Sequence, residues 1–252
     1  MTHRELMQRY LERLGLAAAP PPSWAGLKHL VARHLESIPF ENLDVLAGIR
    51  PDLSTEGVLR KVVIRRRGGF CYELNEAFRA LLEHVGFSVR RIEARVWSAP
   101  KQKFGPPFDH LALVVSLPEG EFLTDVGFGD NNRTPLRLPR DSLADLSGSY
   151  TLEPLSAELA LLARADRPLY QTALATRTLE AFAPMYRFHQ TSPESFFTRD
   201  LVCTRATADG RITINGERLS IIEGPNRVET VGQDRRSALE QYFGIIEEEP
   251  SC

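Results

Sequence analysis

The apolar residues of this chain change period near Gly86. Before it they recur at helical spacing. After it they fall into short runs and alternations that suit strands. Leu6, Met7, Tyr10, Leu11 and Leu14 make a first helical stripe, entered by Thr2 and Glu5 at capping-box spacing. Pro20, Pro21 and Pro22 break the chain, and Ser23 caps a second stripe of Leu27, Leu30, Val31 and Leu35. Ser54 caps a third, with Leu59, Val62 and Val63. A fourth helix starts near Cys71, carries Leu74, Ala77, Phe78, Leu81, Leu82 and Val85 on one face, and stops at Gly86.

Residues 87–97 then alternate loosely, and 101–108 form a Pro/Gly-rich loop. Two apolar runs, 111–115 and 122–126, are separated by Ser116-Leu117-Pro118-Glu119-Gly120, a hairpin signal. Residues 149–152 and 169–174 are weaker strand candidates, and a short helix is expected near 179–183. Strands at 201–206, 211–214 and 219–222 are expected to turn at Asp209-Gly210 and Asn215-Gly216. A terminal helix over 236–243 precedes an acidic tail at 247–249. Helices followed by strands, without βαβ alternation, predict an α+β fold. The chain divides into units at 1–86, 87–175 and 176–252.

Composition narrows the function classes. The 252 residues are 42% hydrophobic and 25% charged, which suits an ordinary globular protein. Thirty-one Lys and Arg against 33 Asp and Glu leave no basic footprint for nucleic acid. Cys71, Cys203 and Cys252 are too few and too far apart for a disulfide framework. The charged N-terminus lacks an apolar secretory region, and the best apolar stretch, 111–117, is too short to cross a bilayer. A cytoplasmic protein with free thiols is expected.

The most informative stretch is Arg66-Arg67-Gly68-Gly69-Phe70-Cys71-Tyr72-Glu73-Leu74-Asn75. It places a cysteine at a helix start, where free N–H groups and the helix dipole favour a thiolate and can hold an oxyanion. The competing reading is a buried structural cysteine beside a turn. A nucleophile needs a base, and the base an orienting group. Of six histidines, His3, His29, His34 and His84 lie on predicted helices, and His189 falls in a loop. His110 opens an apolar strand, where its side chain can enter a cleft. Asp125 sits inside an otherwise apolar strand, where a carboxylate needs a partner. Two hairpin registers are open. A four-residue loop at 116–119 sets His110 opposite Asp125, with Cβ atoms about 4.5–5.5 Å apart. A two-residue turn at Glu119-Gly120 sets Asp125 opposite Val114 instead, with His110 roughly 13 Å away. Only the first builds a Cys–His–Asp triad.

The sequence resembles the arylamine N-acetyltransferase family. The resemblance rests on Ile38-Pro39-Phe40-Glu41-Asn42-Leu43, the Arg66–Asn75 block, His110-Leu111, Asp125-Val126-Gly127-Phe128-Gly129, Thr191-Ser192-Pro193-Glu194-Ser195-Phe196-Phe197 and Phe243-Gly244-Ile245. It implies an N-terminal helical bundle, a central antiparallel β-barrel and a C-terminal α/β lid around a cysteine-protease-like core. It carries a catalytic triad onto Cys71, His110 and Asp125. It implies acetyl-CoA as co-substrate and an arylamine or arylhydrazine as acceptor, joined by ping-pong chemistry through an acetyl-Cys71 thioester, as in xenobiotic metabolism. It implies no metal, no tightly bound cofactor, no nucleic acid and no membrane. Phe40, Val96 and Phe128 match positions that line the acceptor pocket, with Gly127 and Gly129 in a tight loop beside Cys71 or the CoA arm. Thr191 and Ser195 match positions that meet CoA. Glu41 and Arg65 to Arg67 are expected to form ion pairs that hold the Cys71 loop.

Asp109 departs from the family pattern, and a carboxylate there is expected to raise the basicity of His110 or alter CoA access. The chain is also shorter than a typical bacterial member, a difference expected between Pro139 and Pro184 or at the C-terminus. The alternatives are an amide synthase with another acyl donor, a hydrolase or transglutaminase-like enzyme, and a silent CoA-binding module.

Overall fold

Thr2 caps α1 (His3–Arg13) through the full capping box with Glu5, and Ser23 caps α2 (Trp24–Ser37). Both helix starts are among those that the spacing predicted. The fold was obtained as a computed structural model, which describes residues 2–130, 132–165, 167–232 and 234–247. Cys252 and residues 248–249 of the acidic tail lie outside the described residues. A two-residue strand, β1 (Phe40–Glu41), and a single turn, α3 (Leu43–Leu46), follow α2. Ser54 caps α4 (Thr55–Leu59), which continues as a π-helical turn over Arg60–Ile64. The buried Arg13 donates to the carbonyls of Val62, Arg66 and Arg67 and so satisfies the end of that turn. Helix α5 (Cys71–Val85) ends at Gly86, whose φ of +103° is the left-handed cap that a glycine supplies.

The strands that follow are β2 (Ser88–Ser98), β3 (Lys103–Phe104), β4 (His110–Leu117), β5 (Gly120–Thr124), β6 (Leu136–Arg137), β7 (Asp141–Asp145), β8 (Gly148–Pro154), β9 (Leu159–Arg164) and β10 (Arg167–Ala173). They pair antiparallel in the order β6-β5-β4-β2-β10-β9-β8-β7, with β3 beside β2. Edge strands β6 and β7 are consecutive and meet through the Arg137 N–H and Asp141, so the sheet is a nearly closed barrel. Strand β4 is buried on both faces. Leu111, Leu113 and Val115 join the helical core, while Ala112 and Val114 join the barrel interior with Ile92, Leu123, Leu136, Leu162 and Tyr170. That double burial explains why β4 reads as an unbroken apolar run.

The hairpin between β4 and β5 takes neither expected register. Leu117 pairs with Gly120 and Leu113 with Thr124, leaving Pro118-Glu119 as the loop. Pro118 has no N–H for a ladder, which disfavours the register that would pair it. The four-residue loop would leave Leu117 unpaired, and the observed register pairs it.

Residues 179–191 hold a 3₁₀ turn (Glu180–Phe182) and α6 (Ala183–Thr191). His189 is therefore on a helix, not in the loop that the sequence suggested. Strands β11 (Val202–Ala206), β12 (Gly210–Asn215), β13 (Arg218–Glu223) and β14 (Asn226–Val231) and helix α7 (Arg235–Phe243) complete the chain. Asn215 pairs with Arg218, so the second turn is Gly216-Glu217, one residue beyond the expected Asn-Gly. The sheet order is β1-β11-β12-β13-β14. A strand from the first third of the chain thus edges the C-terminal sheet. The fold is α+β: N-terminal helices, a barrel-like sheet and a C-terminal lid region. Among the described residues no helix is long and apolar enough to cross a membrane.

Candidate active site

Cys71 is the first residue of α5 and is buried. The loop before it is fixed by close packing and by charge. A Cβ on Gly68 would lie 2.0 Å from the Pro39 carbonyl oxygen, so only glycine lets these two strands of backbone touch. Glu41 N–H donates to the Gly69 carbonyl at 2.9 Å. Glu73 accepts the Phe70 N–H at 3.1 Å and so tethers the residue before the cysteine. Behind it runs a buried chain of charges. Lys61 Nζ lies 2.8 Å from Glu73 and 3.0 Å from Asp44, and Arg67 bridges Asp44 and Glu41 at 3.1 and 3.0 Å. Of the three arginines expected to hold the loop, Arg67 does so; Arg65 and Arg66 are exposed. Burial pushes the Glu73 carboxyl up more than Lys61 pulls it down. Lys61→Met would leave Asp44 and Glu73 buried without their cation. The expected loss is about 3–5 kcal/mol of unfolding free energy, read from urea titration; a change below about 1 kcal/mol would show the network contributes little.

His110 is buried at the start of β4 with its ring on the barrel side, against Tyr170 and Phe128 at 5.3 and 5.4 Å. Its Nε2 lies 2.8 Å from Asp125 Oδ2. The observed register explains the contact. Extended one residue past Thr124, it sets Asp125 opposite Ala112, on the face of β4 that His110 shares and two residues along. Such diagonal neighbours sit about 7–8 Å apart, within reach of an imidazole and a carboxylate. Cys71 and the ring line one cavity. Burial alone would lower the basicity of His110, but the Asp125 carboxylate and the Cys71 sulfur outweigh it and push the ring up to about 10.

Asp125 itself is fully dressed. Burial works against its charge, yet His110 on one oxygen and Asn75 Nδ2 and the Gly127 N–H, each at 2.9 Å on the other, hold it below the usual carboxylate range. Asn75 is the residue that sequence reasoning quoted but gave no role. It sits one turn along α5 from Cys71. Its Nδ2 also donates to Leu111 O at 2.7 Å, and its Oδ1 accepts the Val126 N–H at 3.0 Å. One side chain therefore ties the cysteine helix, the histidine strand and the aspartate loop together. Its signal was its place four residues after Cys71, on the same helix face. Lys61 gave no such signal, because a charge in a helical pattern reads as solvated.

A cavity of about 660 Å³ opens onto these residues. Cys71, His110, Phe40, Val96, Gly127, Phe128 and Gly129 all line it. A Cβ on Gly127 would meet Cys71 Cα at 2.8 Å and Asn75 Nδ2 at 2.6 Å, so the loop after Asp125 lies directly on the cysteine. The far side is formed by the face of the C-terminal sheet, including Arg211, Arg218 and Arg227. Thr191 and Ser195 are placed differently. Thr191 is exposed, outside the cavity lining, and its hydroxyl donates to Arg187 O within α6. Ser195 is buried, and its hydroxyl meets His189 Nδ1 at 3.1 Å. Asp109 does not turn to His110. Its Oδ1 lies 3.2 Å from His189 Nε2, on the other side of the strand. Asp109, His189 and Ser195 thus form a hydrogen-bonded chain of their own beside the Cys71, His110 and Asp125 set.

The family model described as N-acetyltransferase matches residues 24–248. An arylamine N-acetyltransferase of Mycolicibacterium smegmatis is 36% identical over 221 residues, covering 84% of this chain and 80% of the relative. The solved M. smegmatis arylamine N-acetyltransferase superposes with a TM-score of 0.88 at 32% identity, over 95% of this chain and 92% of the other. That of Mycobacterium marinum in complex with CoA superposes with a TM-score of 0.87, also at 32% identity, over 95% and 92%. The chain belongs to the arylamine N-acetyltransferase family.

Proposed function

We propose that this acyltransferase moves an acetyl group from acetyl-CoA to the nitrogen of an arylamine or arylhydrazine, in two steps through an acetyl-Cys71 thioester. The observation that carries the reading is the His110 ring, 2.8 Å from Asp125 and sharing the wall of an aromatic cavity with Cys71. In the first step Cys71 Sγ gives its proton to His110 and attacks the thioester carbonyl. The new carbon–sulfur bond forms as the bond to CoA breaks, and the departing CoA sulfur takes the proton from the imidazolium. The first-turn N–H groups at Cys71 and Tyr72 offer donors to the developing oxyanion. In the second step the amine nitrogen attacks the acetyl carbon, His110 takes a proton from it, and the carbon–sulfur bond to Cys71 breaks. The proton returns to the thiolate. Asp125 keeps the ring oriented and favours its charged form in both steps. Phe40, Val96 and Phe128 offer apolar walls to an aromatic acceptor, and Gly127 and Gly129 leave it room beside the sulfur. Arg211, Arg218 and Arg227 on the far side are paired with Asp130 and Glu229, and their guanidinium forks bind CoA phosphates only by sharing or exchanging those carboxylates. Thr191 and Ser195 have no part in this reading, because one faces solvent away from the cavity and the other is committed to His189.

The test is intact mass with peptide mapping after mixing the protein with acetyl-CoA alone. The expected product carries one acetyl group on Cys71 and loses it when an aniline or arylhydrazine is added. A folded protein that acquires no adduct would overturn acetyl-CoA as donor.

A further inference from the structure

Asp109 and His189 line the same cavity as Cys71, yet the two-step chemistry uses neither. Their hydrogen bonds are unequal. His189 has spent both ring nitrogens, Nε2 on Asp109 Oδ1 at 3.2 Å and Nδ1 on Ser195 Oγ at 3.1 Å. Its ring is wedged edge-on among Phe70, Phe188 and Phe197. Asp109 has taken one protein donor on each oxygen, His189 on Oδ1 and the Val96 N–H on Oδ2 at 3.3 Å. A carboxylate has about four lone-pair sites. The hydrogen-bonding capacity left at this wall is therefore acceptor capacity alone, and it carries negative charge. The cations of the cavity do not offset it. Arg211 is paired with Asp130 at 3.2 Å, and Arg218 and Arg227 share Glu229 at 2.9 and 2.6 Å.

We propose that Asp109 is a specificity-determining residue of the acceptor site: it accepts a hydrogen bond from an N–H or O–H group of the acceptor and disfavours acceptors that carry a carboxylate. The proposal rests on the acetyl-transfer reading for its kinetic arm. An internal hydrazine N–H, a phenol or a carboxamide supplies the donor. A carboxylate in the same place meets like charge in a water-poor wall.

The experiment compares the 2-, 3- and 4-aminobenzamides with the corresponding aminobenzoates. Each pair has nearly one shape and differs in charge and in donor capacity. For the native protein kcat/KM is expected to favour the amide at least tenfold at one or more ring positions. In Asp109→Asn that amide-to-acid ratio falls at least tenfold, because the asparagine still accepts from His189 but carries no charge. Asp109→Thr gives the same collapse by a different shape. Loss of a merely structural clamp would lower both members of a pair together and leave the ratio unchanged. The ratio of dissociation constants for the same pairs, measured by calorimetry without acetyl-CoA, reads Asp109 independently of the acyl donor. Failure of Cys71 to acetylate would overturn the acetyl-transfer reading alone, and the binding ratios would still decide on Asp109. A native protein without preference at any ring position, or ratios unmoved in both variants, would overturn the assignment of Asp109.

Discussion

Cys71→Ala is expected to remove the acetyl adduct entirely and to lower acetyl transfer by about 10⁴-fold or more, the scale seen when a covalent nucleophile is deleted. The fold should survive. Cys71 contributes one small side chain to a core that α5 shares with the other helices and β4. Cys71→Ser tests the chemistry more narrowly, because a serine hydroxyl fits the place but is a far poorer nucleophile at neutral pH. Turnover in the presence of acetyl-CoA and an arylamine, with circular dichroism as the fold control, checks both. Substantial turnover by either variant would refute the nucleophile assignment and point to direct transfer between the two substrates.

The second large effect is expected from Asp125→Asn, at about 10³–10⁴-fold in kcat/KM. The amide keeps the size of the side chain but cannot hold the imidazolium. Burial, the largest influence on His110, then acts with only Cys71 opposing it, and the ring moves down from about 10 toward or below its ordinary 6.5. The readout is the pH dependence of Cys71 alkylation by iodoacetamide, whose protonation step should shift in the variant. Stability follows the same sign. His110 is raised on folding, so its contribution is present in full below pH 6.5 and is lost as pH rises through about 10. Asp125 is held low, so its contribution is lost only as pH falls into the acidic range. The difference in Tm between native protein and variant should therefore be largest between the ordinary carboxylate range and pH 6.5, and should shrink as pH rises toward 10. Near-native rates at neutral pH would show that the aspartate does not orient the base.

Much of this was legible in the residues because local chemistry decided it. Ser23 and Ser54 cap helices, Gly86 ends one, and Cys71 begins one, since each local preference agrees with the tertiary structure. The reach from His110 to Asp125 was half legible. Period-two alternation puts both on one face in the observed register and in both expected ones. The turn chemistry of Pro118 then selected a register midway between the two, in which the contact is diagonal. Residues whose roles depend on distant partners gave little sign of them. Asn75 acquires its role from Leu111 and Asp125, and Lys61 from Asp44 and Glu73. Asp109 stands out in the sequence, but its partner His189 lies on a helix where the sequence suggests a loop. Strands β7, β9 and β14 were missed altogether; β7 and β14 are largely polar and exposed, so they lack the apolar rhythm by which a buried strand is found.

Strand β1 is only two residues long, yet it joins the Gly69 backbone on one side and β11 on the other. Until β11 arrives, Phe40 and Glu41 present an open edge beside the nucleophile loop, and closing that edge means ordering a very long intervening stretch of chain. A polypeptide emerging from the ribosome can thus complete its N-terminal helices and much of its barrel, with Cys71, His110 and Asp125 all made, while the pocket wall around Phe40 is still open. Completion of the substrate pocket is coupled to the last quarter of the sequence, so a prematurely terminated product would carry the reactive sulfur without its finished enclosure.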